Sequence, residues 1–314
     1  MSLLLGGKTL LQFINTFNLA IFILFTLLYS YQIVYAIIAL FGEDKKQSEQ
    51  RAVKKLHKYA VVISARNEGR VIGELIRSIK NQKYPSELLD IFVVADNCTD
   101  DTAEVSRKAG AIVYERFNHR QVGKGYALDF IFKIILSSHQ DKGYEGFFVF
   151  DADNLLDENY VYEMNKVFDS GYRVITSYRN SKNYDSNWIS AGYSLWFLRE
   201  SKYLNNPRMM LHTSCAISGT GFLLRRDIVE ANDGWKHHLL TEDIEFSIDS
   251  VIHGETIGYC GNAKLYDEQP VSFAQSWNQR LRWSKGFYQV FGKYGKELFL
   301  SIFKRKVLPV TICL

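Results

Sequence analysis

The stretch Phe147-Phe148-Val149-Phe150-Asp151-Ala152-Asp153 decides how this chain is read. Four apolar residues in a row, aromatic or β-branched, fit a strand buried on both faces. Two carboxylates one residue apart follow at once. They stand at the C-terminal mouth of that strand, where open α/β sheets bind ligands. Paired hard oxygen donors at such a mouth suit Mg²⁺ or Mn²⁺, ions that also take phosphate oxygens.

Working outward, strand-like and helix-like stretches alternate. Residues 59–64 are apolar and β-branched, and 70–80 carry Val71, Ile72, Leu75, Ile76 and Ile79 at helical spacing. A strand follows at 89–95, a helix at 102–109, a short strand at 111–114 and a helix at 124–136. Beyond the carboxylates come a helix at 159–168 and a strand at 172–177. This alternation predicts a doubly wound, mostly parallel α/β sheet. The second half is less regular. Residues 188–204 are aromatic with a helical pattern, and 216–224 read as a strand with the turn Ser218-Gly219-Thr220-Gly221. Residues 242–253 read as a helix. Residues 272–291 read as a long amphipathic helix, rich in aromatics, Lys and Arg, suited to a membrane surface.

The 314 residues suffice for one large α/β domain with a membrane element. A net charge of +4, from scattered basic residues, gives no footprint for nucleic acid. Cys98, Cys215, Cys260 and Cys313 are far apart, which argues for reduced thiols rather than a zinc site or disulfide frame. No charged residue occurs from Thr9 to Gly42, and residues 19–41 are almost wholly apolar, long enough to span a membrane. The apolar run is too long for a signal peptide and lacks its cleavage site. Lys45, Lys46, Arg51, Lys54, Lys55 and Lys58 follow it, so the positive-inside rule puts the α/β region after it on the cytoplasmic side of the cell membrane. Residues 1–42 are therefore read as the membrane helix, 43–58 as a juxtamembrane linker and 59–270 as the catalytic domain. In 271–314 the amphipathic helix leads to a basic flank and the first turns of a second, cut-off membrane segment at 304–314.

Two further clusters follow the carboxylate pair. Thr241-Glu242-Asp243 offers a carboxylate for proton abstraction, and Gln279-Arg280-Leu281-Arg282-Trp283 a guanidinium for phosphate beside an aromatic plate. Asp-x-Asp, Thr-Glu-Asp and Gln-x-x-Arg-Trp in this order resemble glycosyltransferase family 2, and within it the membrane-bound β-glycan synthases of the cellulose, chitin, hyaluronan and poly-N-acetylglucosamine type. The resemblance covers roughly residues 59–293 and implies a GT-A fold with a nucleotide sugar, expected to be UDP-linked, as donor.

It also implies roles. Glu68, after the first strand, would help hold the nucleoside; its plainer reading is a charge at a helix start. Asp96 matches an acid that reads the base. Asn97 and Cys98 depart from the usual pattern, which leaves room for another nucleotide. Asp100 and Asp101 fit a helix cap and first turn. Val122-Gly123-Lys124-Gly125 lacks the spacing of a P-loop, and no Gly-x-Gly-x-x-Gly follows a strand. The resemblance instead brings Lys124 to the donor. Asp153 is expected on the metal, with Asp151 on metal and ribose. Asp243 would be the catalytic base and Glu242 would orient the acceptor. Thr241 equally suits a helix cap, and both readings can hold. Gln279 and Arg282 would bind the donor, and Trp283 the acceptor sugar. Trp277 and Arg280 read as interfacial anchors.

The expected activity is a metal-dependent, inverting transfer to a growing β-glycan. A polymer channel needs several membrane helices, so that reading implies further sequence or a membrane partner subunit. The alternatives are a non-processive enzyme acting on a membrane lipid, and a non-catalytic nucleotide-binding scaffold.

Overall fold

The computed structural model describes residues 2–42 and 53–303. Lys45, Lys46 and Arg51, expected to flank the apolar helix, and the expected membrane stub at 304–314 lie outside the described residues.

The buried runs form the sheet. β1 (Tyr59–Ala65), β2 (Leu89–Asp96), β3 (Ile112–Arg116) and β4 (Gly146–Asp151) pair in parallel, in the order β3-β2-β1-β4. Tyr59 to Ile63 of β1 and Phe148 to Phe150 of β4 are fully buried, as expected of strands covered on both faces. Helix Lys124–Ser138 lies against β1 and β2. Helix Ile72–Lys80 buries Ile72, Leu75, Ile76 and Ile79, the apolar set seen in its spacing.

Beyond β4 the sheet changes character. β5 (Leu155–Leu156), β6 (Val174–Ser181), β7 (Phe222–Arg225) and β8 (Ile257–Asp267) extend it in the order β4-β7-β6-β8-β5. β7 is antiparallel to both β4 and β6, β6 is parallel to β8, and β5 is antiparallel to β8. The mostly parallel sheet expected from alternation is therefore mixed. The difference arises because β7 enters the sheet centre by a return connection that periodicity does not report. It is also shorter than the strand expected at 216–224, since Ser218 to Gly221 form the turn before it. β8 was not read from sequence: Gly258 and Gly261 break its apolar run, and beyond them Asn262 and Lys264 face outward.

The apolar N-terminal segment forms two helices, Ser2–Tyr29 and Tyr31–Phe41, rather than one helix across 19–41. Residues Leu10–Phe41 are long and apolar enough to cross a membrane, with mean hydropathy 2.0. The second helix docks on the domain. Tyr35 is buried under the Arg208 guanidinium, 6.0 Å from its ring, and Arg199 Nη2 donates to Gln32 Oε1 at 2.6 Å. Helix Trp188–Glu200 ends earlier than expected, in a π-helical turn at Ser201–Asn205. Helix Phe273–Phe303 runs well past the expected 291. Its inward stripe is Ser276, Gln279, Trp283, Gly286, Val290, Tyr294 and Leu298, a repeat of three and four residues.

Candidate functional site

Parallel strands end at one edge of the sheet, so the loops after β1, β2 and β4 gather there. Ser64 of β1 pairs with Asp151 of β4, which fixes the carboxylate level with the end of β1. Because β7 is antiparallel to β4, its beginning meets the end of β4. The turn Ser218–Gly221 is thereby brought beside Asp151. Thr220 Oγ1 accepts from Asp151 N at 2.8 Å, and Gly221 N donates to Val149 O at 2.9 Å. Gly221 has φ +67°, and a Cβ there would stand 1.8 Å from Leu265 Cδ2, so this turn demands glycine.

Lys124 is the hub. It opens its helix after Gly123 (φ +134°), and its Nζ donates to Asp151 Oδ1 at 2.5 Å and to Gly219 O at 2.7 Å. Glu242 Oε1 lies 3.8 Å away. Burial lowers the Lys124 pKa, but Asp151, Glu242 and Asp243 outweigh it and hold the ammonium above its ordinary value. Asp243 Oδ2 accepts from Gly219 N at 2.7 Å. Burial raises Asp243, against hydrogen bonds from the Ile244 and Gly219 backbones and the pull of Lys124. Burial also raises Glu242, with Lys124 opposing and Asp243 and Asp151 adding to it.

Asp153 is the most crowded acid. Burial, then Asp267, Asp151 and Glu68, push its carboxyl well above the ordinary range. Glu68 is likewise raised, by burial and then by Asp151, Asp100 and Glu268. The cations nearby are engaged: Lys124 on Asp151, and Arg179 on Asp267 through Nη2 and, at 2.8 Å, through Nε. Crowded, all-oxygen donors fit a hard divalent ion, which would relieve their repulsion. Among the described residues, no group of three or more His, Cys, Asp or Glu has metal-holding geometry.

The structure thus brings Glu68, Lys124, Asp151, Asp153, Glu242 and Asp243 together. The remaining sequence candidates fall elsewhere. Asp96 is buried in an ion pair with Arg116 Nη1 at 2.6 Å. Arg116 in turn lines a cleft of about 510 Å³ with Phe117, Asn118, Gln121 and Tyr126. Gln279 Oε1 is buried and without a hydrogen-bond partner among the described residues. Trp283 is half-buried, edge-on to Tyr193 at 6.1 Å. Arg282 is exposed and forms no ion pair among the described residues. Thr241, expected to cap its helix, makes no side-chain cap bond. Its buried Oγ1 has no partner among the described residues, and the residue packs against Gly286, where a Cβ would stand 2.4 Å from Thr241 Cγ2. Asp100 does serve the next helix start, accepting from Thr102 N at 3.1 Å.

Sequence reading missed Asn154, Arg179, Gly219 and Asp267. Asn154 accepts from Thr220 Oγ1 at 2.5 Å and donates to Asp267 Oδ1 at 2.9 Å, tying the carboxylate loop to the end of β8. The signal for Asn154 was its place directly after the Asp pair. Asp267 carried none, since β8 was unread, and Arg179 lies on β6 just past the strand expected at 172–177.

A family model described as glycosyltransferase like family 2 matches residues 57–286. The chain belongs to glycosyltransferase family 2. The chain is 27% identical to a probable glycosyltransferase, YdaM, of Bacillus subtilis, over 82% of this chain and 62% of that one. It is 23% identical to a beta-monoglucosyldiacylglycerol synthase of Synechocystis, over 74% and 48% of the two chains. It is 22% identical to a poly-beta-1,6-N-acetyl-D-glucosamine synthase of Staphylococcus epidermidis, over 90% and 67%. The chain thus spans roughly half to two thirds of the length of these curated relatives. In fold it is similar to a mannosyltransferase of Pyrobaculum calidifontis, solved with GDP-Man and Mn²⁺. The TM-score is 0.60 at 16% identity, covering 88% of this chain and 74% of that one. S. aureus TarS residues 1–349 give 0.54 at 16% identity, covering 77% and 65%. These likenesses give the sheet its GT-A-like character.

Proposed function

We propose that this glycosyltransferase transfers a sugar, with inversion, from a nucleotide sugar, UDP-linked, to a growing β-glycan at the cytoplasmic face of the cell membrane. The observation that carries the reading is the convergence of Lys124, Asp151, Glu242 and Asp243 around Gly219. A cation beside the diphosphate and a carboxylate beside the acceptor are what a direct displacement needs.

In that displacement an acceptor hydroxyl oxygen bonds to the anomeric carbon as the bond from that carbon to the diphosphate breaks. Asp243 takes the hydroxyl proton; its raised pKa makes it the stronger base. The Gly219 N–H holds Asp243 Oδ2 and fixes the carboxylate in the site. Lys124 offsets the charge left on the nucleoside diphosphate. Asp151 and Asp153 would hold Mg²⁺ or Mn²⁺, which supplies Lewis-acid stabilisation of that leaving group. Glu68 would hold the ribose, and Asp96, through Arg116, would border the base. Gln279 and Arg282 reach the diphosphate when the donor is bound, and Trp283 and Glu242 orient the acceptor. The ligand in the Pyrobaculum structure, GDP-Man with Mn²⁺, supports a metal-assisted nucleotide-sugar donor.

Membrane anchoring rests on the Leu10–Phe41 run and on exposed Trp277, Leu281, Tyr288 and Phe291 of the C-terminal helix. A polymer product calls for a membrane partner subunit or further helices. The second reading, a membrane-lipid acceptor, is favoured by the docking of the apolar helix Tyr31–Phe41 on the domain through Arg199 and Arg208, and by the diacylglycerol-linked relative.

The test incubates membranes holding the full chain with radiolabelled nucleotide sugars and Mg²⁺ or Mn²⁺, then sorts product into lipid and polymer. One donor should be used. Asp243→Asn should cut turnover roughly 10²–10⁴-fold while calorimetric donor affinity stays near wild type. Absence of both transfer and donor hydrolysis, or near-normal turnover in the Asn variant, overturns the reading.

A further inference from the structure

One acid at this edge has no part in the mechanism above. Glu200 is the last residue of helix Trp188–Glu200, directly before the π-helical turn Ser201–Asn205. Turns of that kind cost regular hydrogen bonding and recur at functional sites. Glu200 Oε2 accepts from Ser218 Oγ at 3.4 Å, while the next residue, Gly219, donates its N–H to Asp243 at 2.7 Å. Two carboxylates from different helices therefore hold consecutive residues of one glycine turn.

Glu200 is half-buried, yet it forms no ion pair among the described residues. Neither of the arginines that bear on its charge pairs with it among the described residues, and Arg208 Nε is itself buried without a hydrogen bond among them. Arg179 gives Nε and Nη2 to Asp267 and Nη1 to Ser218 O, and its guanidinium lies 4.4 Å from the Phe197 ring. The Arg208 guanidinium faces the ring of Tyr35. A carboxylate has about four acceptor positions, and a single long hydrogen bond leaves most of them open. Burial pushes Glu200 above the ordinary carboxylate range, against Arg179, Ser218 and Arg208. Closing such a group off costs free energy unless donors fill it. The same helix presents Tyr193 to Trp283, the aromatic plate assigned to the acceptor. Glu200 thus lies on the helix that backs the acceptor plate, and touches the turn that holds the proposed base.

Resting on the proposed transfer reaction, we propose that Glu200 is an acceptor-binding residue whose carboxylate takes hydrogen bonds from hydroxyls adjacent to the one that attacks. Two vicinal hydroxyls fit the two oxygens of a carboxylate. The acceptor class this selects is a sugar residue, free or at the head of a glycolipid, rather than a lipid with a single hydroxyl.

The test uses the full chain in membranes with its identified donor, comparing wild type, Glu200→Gln and Glu200→Ala. Acceptors are the natural sugar and its deoxy analogue, lacking the hydroxyl next to the attacking one. In Glu200→Ala the acceptor KM should rise roughly 10–100-fold, the size of one lost hydrogen bond to a charged group. Glu200→Gln, which keeps one acceptor oxygen, should fall between. Donor affinity should stay within about twofold, and the share of donor lost to water should rise. The deoxy acceptor should be penalised in wild type but not further in Glu200→Ala, as for two groups that touch. Equal penalties in both proteins, an unchanged acceptor KM, or a joint fall of donor affinity and melting temperature overturns the assignment. If the wild type neither hydrolyses nor transfers from any donor, the transfer reading itself fails. Failure of Glu200 alone leaves wild-type transfer intact, so the two are distinguishable.

Discussion

The half of the sheet made by β1 to β4 and the half made by β5 to β8 are built on different terms. In the first, Val61, Val62, Phe92, Val93, Phe148 and Val149 are fully buried and apolar. In the second, polar groups are buried as well: Asn154, Thr220 and Asp267 lie in one hydrogen-bonded chain with Arg179. Burial of apolar surface explains the first half, apart from the Asp96–Arg116 ion pair at the ends of β2 and β3. The second half holds polar groups inside, which is costly unless every partner is present. The candidate site lies at the seam, where a parallel strand ends beside the start of an antiparallel one. The apolar half therefore acts as platform, and the polar half completes the site.

The largest expected effect tests whether the seam is a metal centre. Asp153→Ala should lower kcat/KM roughly 10²–10⁴-fold, through loss of donor affinity as well as turnover, with melting temperature little changed. Chelation of wild type should match it, and added Mn²⁺ should restore wild type but not the variant. Full activity in excess EDTA would break the idea that crowding of Asp153 by Asp267, Asp151 and Glu68 exists for a cation.

How much of this was legible follows the same division. β1, β2 and β4 were readable because strands buried on both faces leave continuous apolar runs. Helix Ile72–Lys80 was readable because one face is buried and the other wet. Helix starts at Lys124 and Glu242 carried Gly and acidic signals. The mixed sheet was not legible, since antiparallel entry of β7 changes direction without changing composition. β8 went unread because Gly258 and Gly261 break its apolar run, although Asn262 and Lys264 beyond them alternate with buried Ala263 and Leu265 as a half-buried strand does. Of the site, residues in short ordered motifs could be named. Asp267, Arg179 and Gly219 could not, because contacts across the sheet assemble them. Arg282 shows the reverse case: the motif names it, yet it stands exposed while Gln279 and Trp283 of the same motif turn inward.

A middle-sized effect tests the platform. Phe148 is fully buried at β4, with Tyr59 edge-on at 5.0 Å and Phe150 stacked at 5.9 Å. Phe148→Ala should cost about 3–5 kcal/mol in chemical unfolding, as large-to-small core changes do. Folded variant, at low temperature, should keep the wild-type donor affinity. A variant as stable as wild type but with weakened donor binding would erase the division between platform and site.

The smallest effect sharpens the comparison at one residue of the polar half. Thr241 precedes helix Glu242–Ile252, where sequence alone gives its hydroxyl to a cap. A lost threonine cap typically costs about 1 kcal/mol. Here the hydroxyl is buried without a partner among the described residues, and the side chain is pressed against Gly286 of the C-terminal helix. Thr241→Val keeps the shape and removes only the unsatisfied hydroxyl. Unfolding free energy should then change by less than about 0.5 kcal/mol, or rise, because an unpaired buried hydroxyl is itself destabilising. Thr241→Ala removes the contact with Gly286 as well, and should cost more than the valine change. If valine instead costs about 1 kcal/mol and alanine no more, the hydroxyl caps the helix. The start of the Asp243 helix would then be fixed by its own sequence, not by the helix that crosses it.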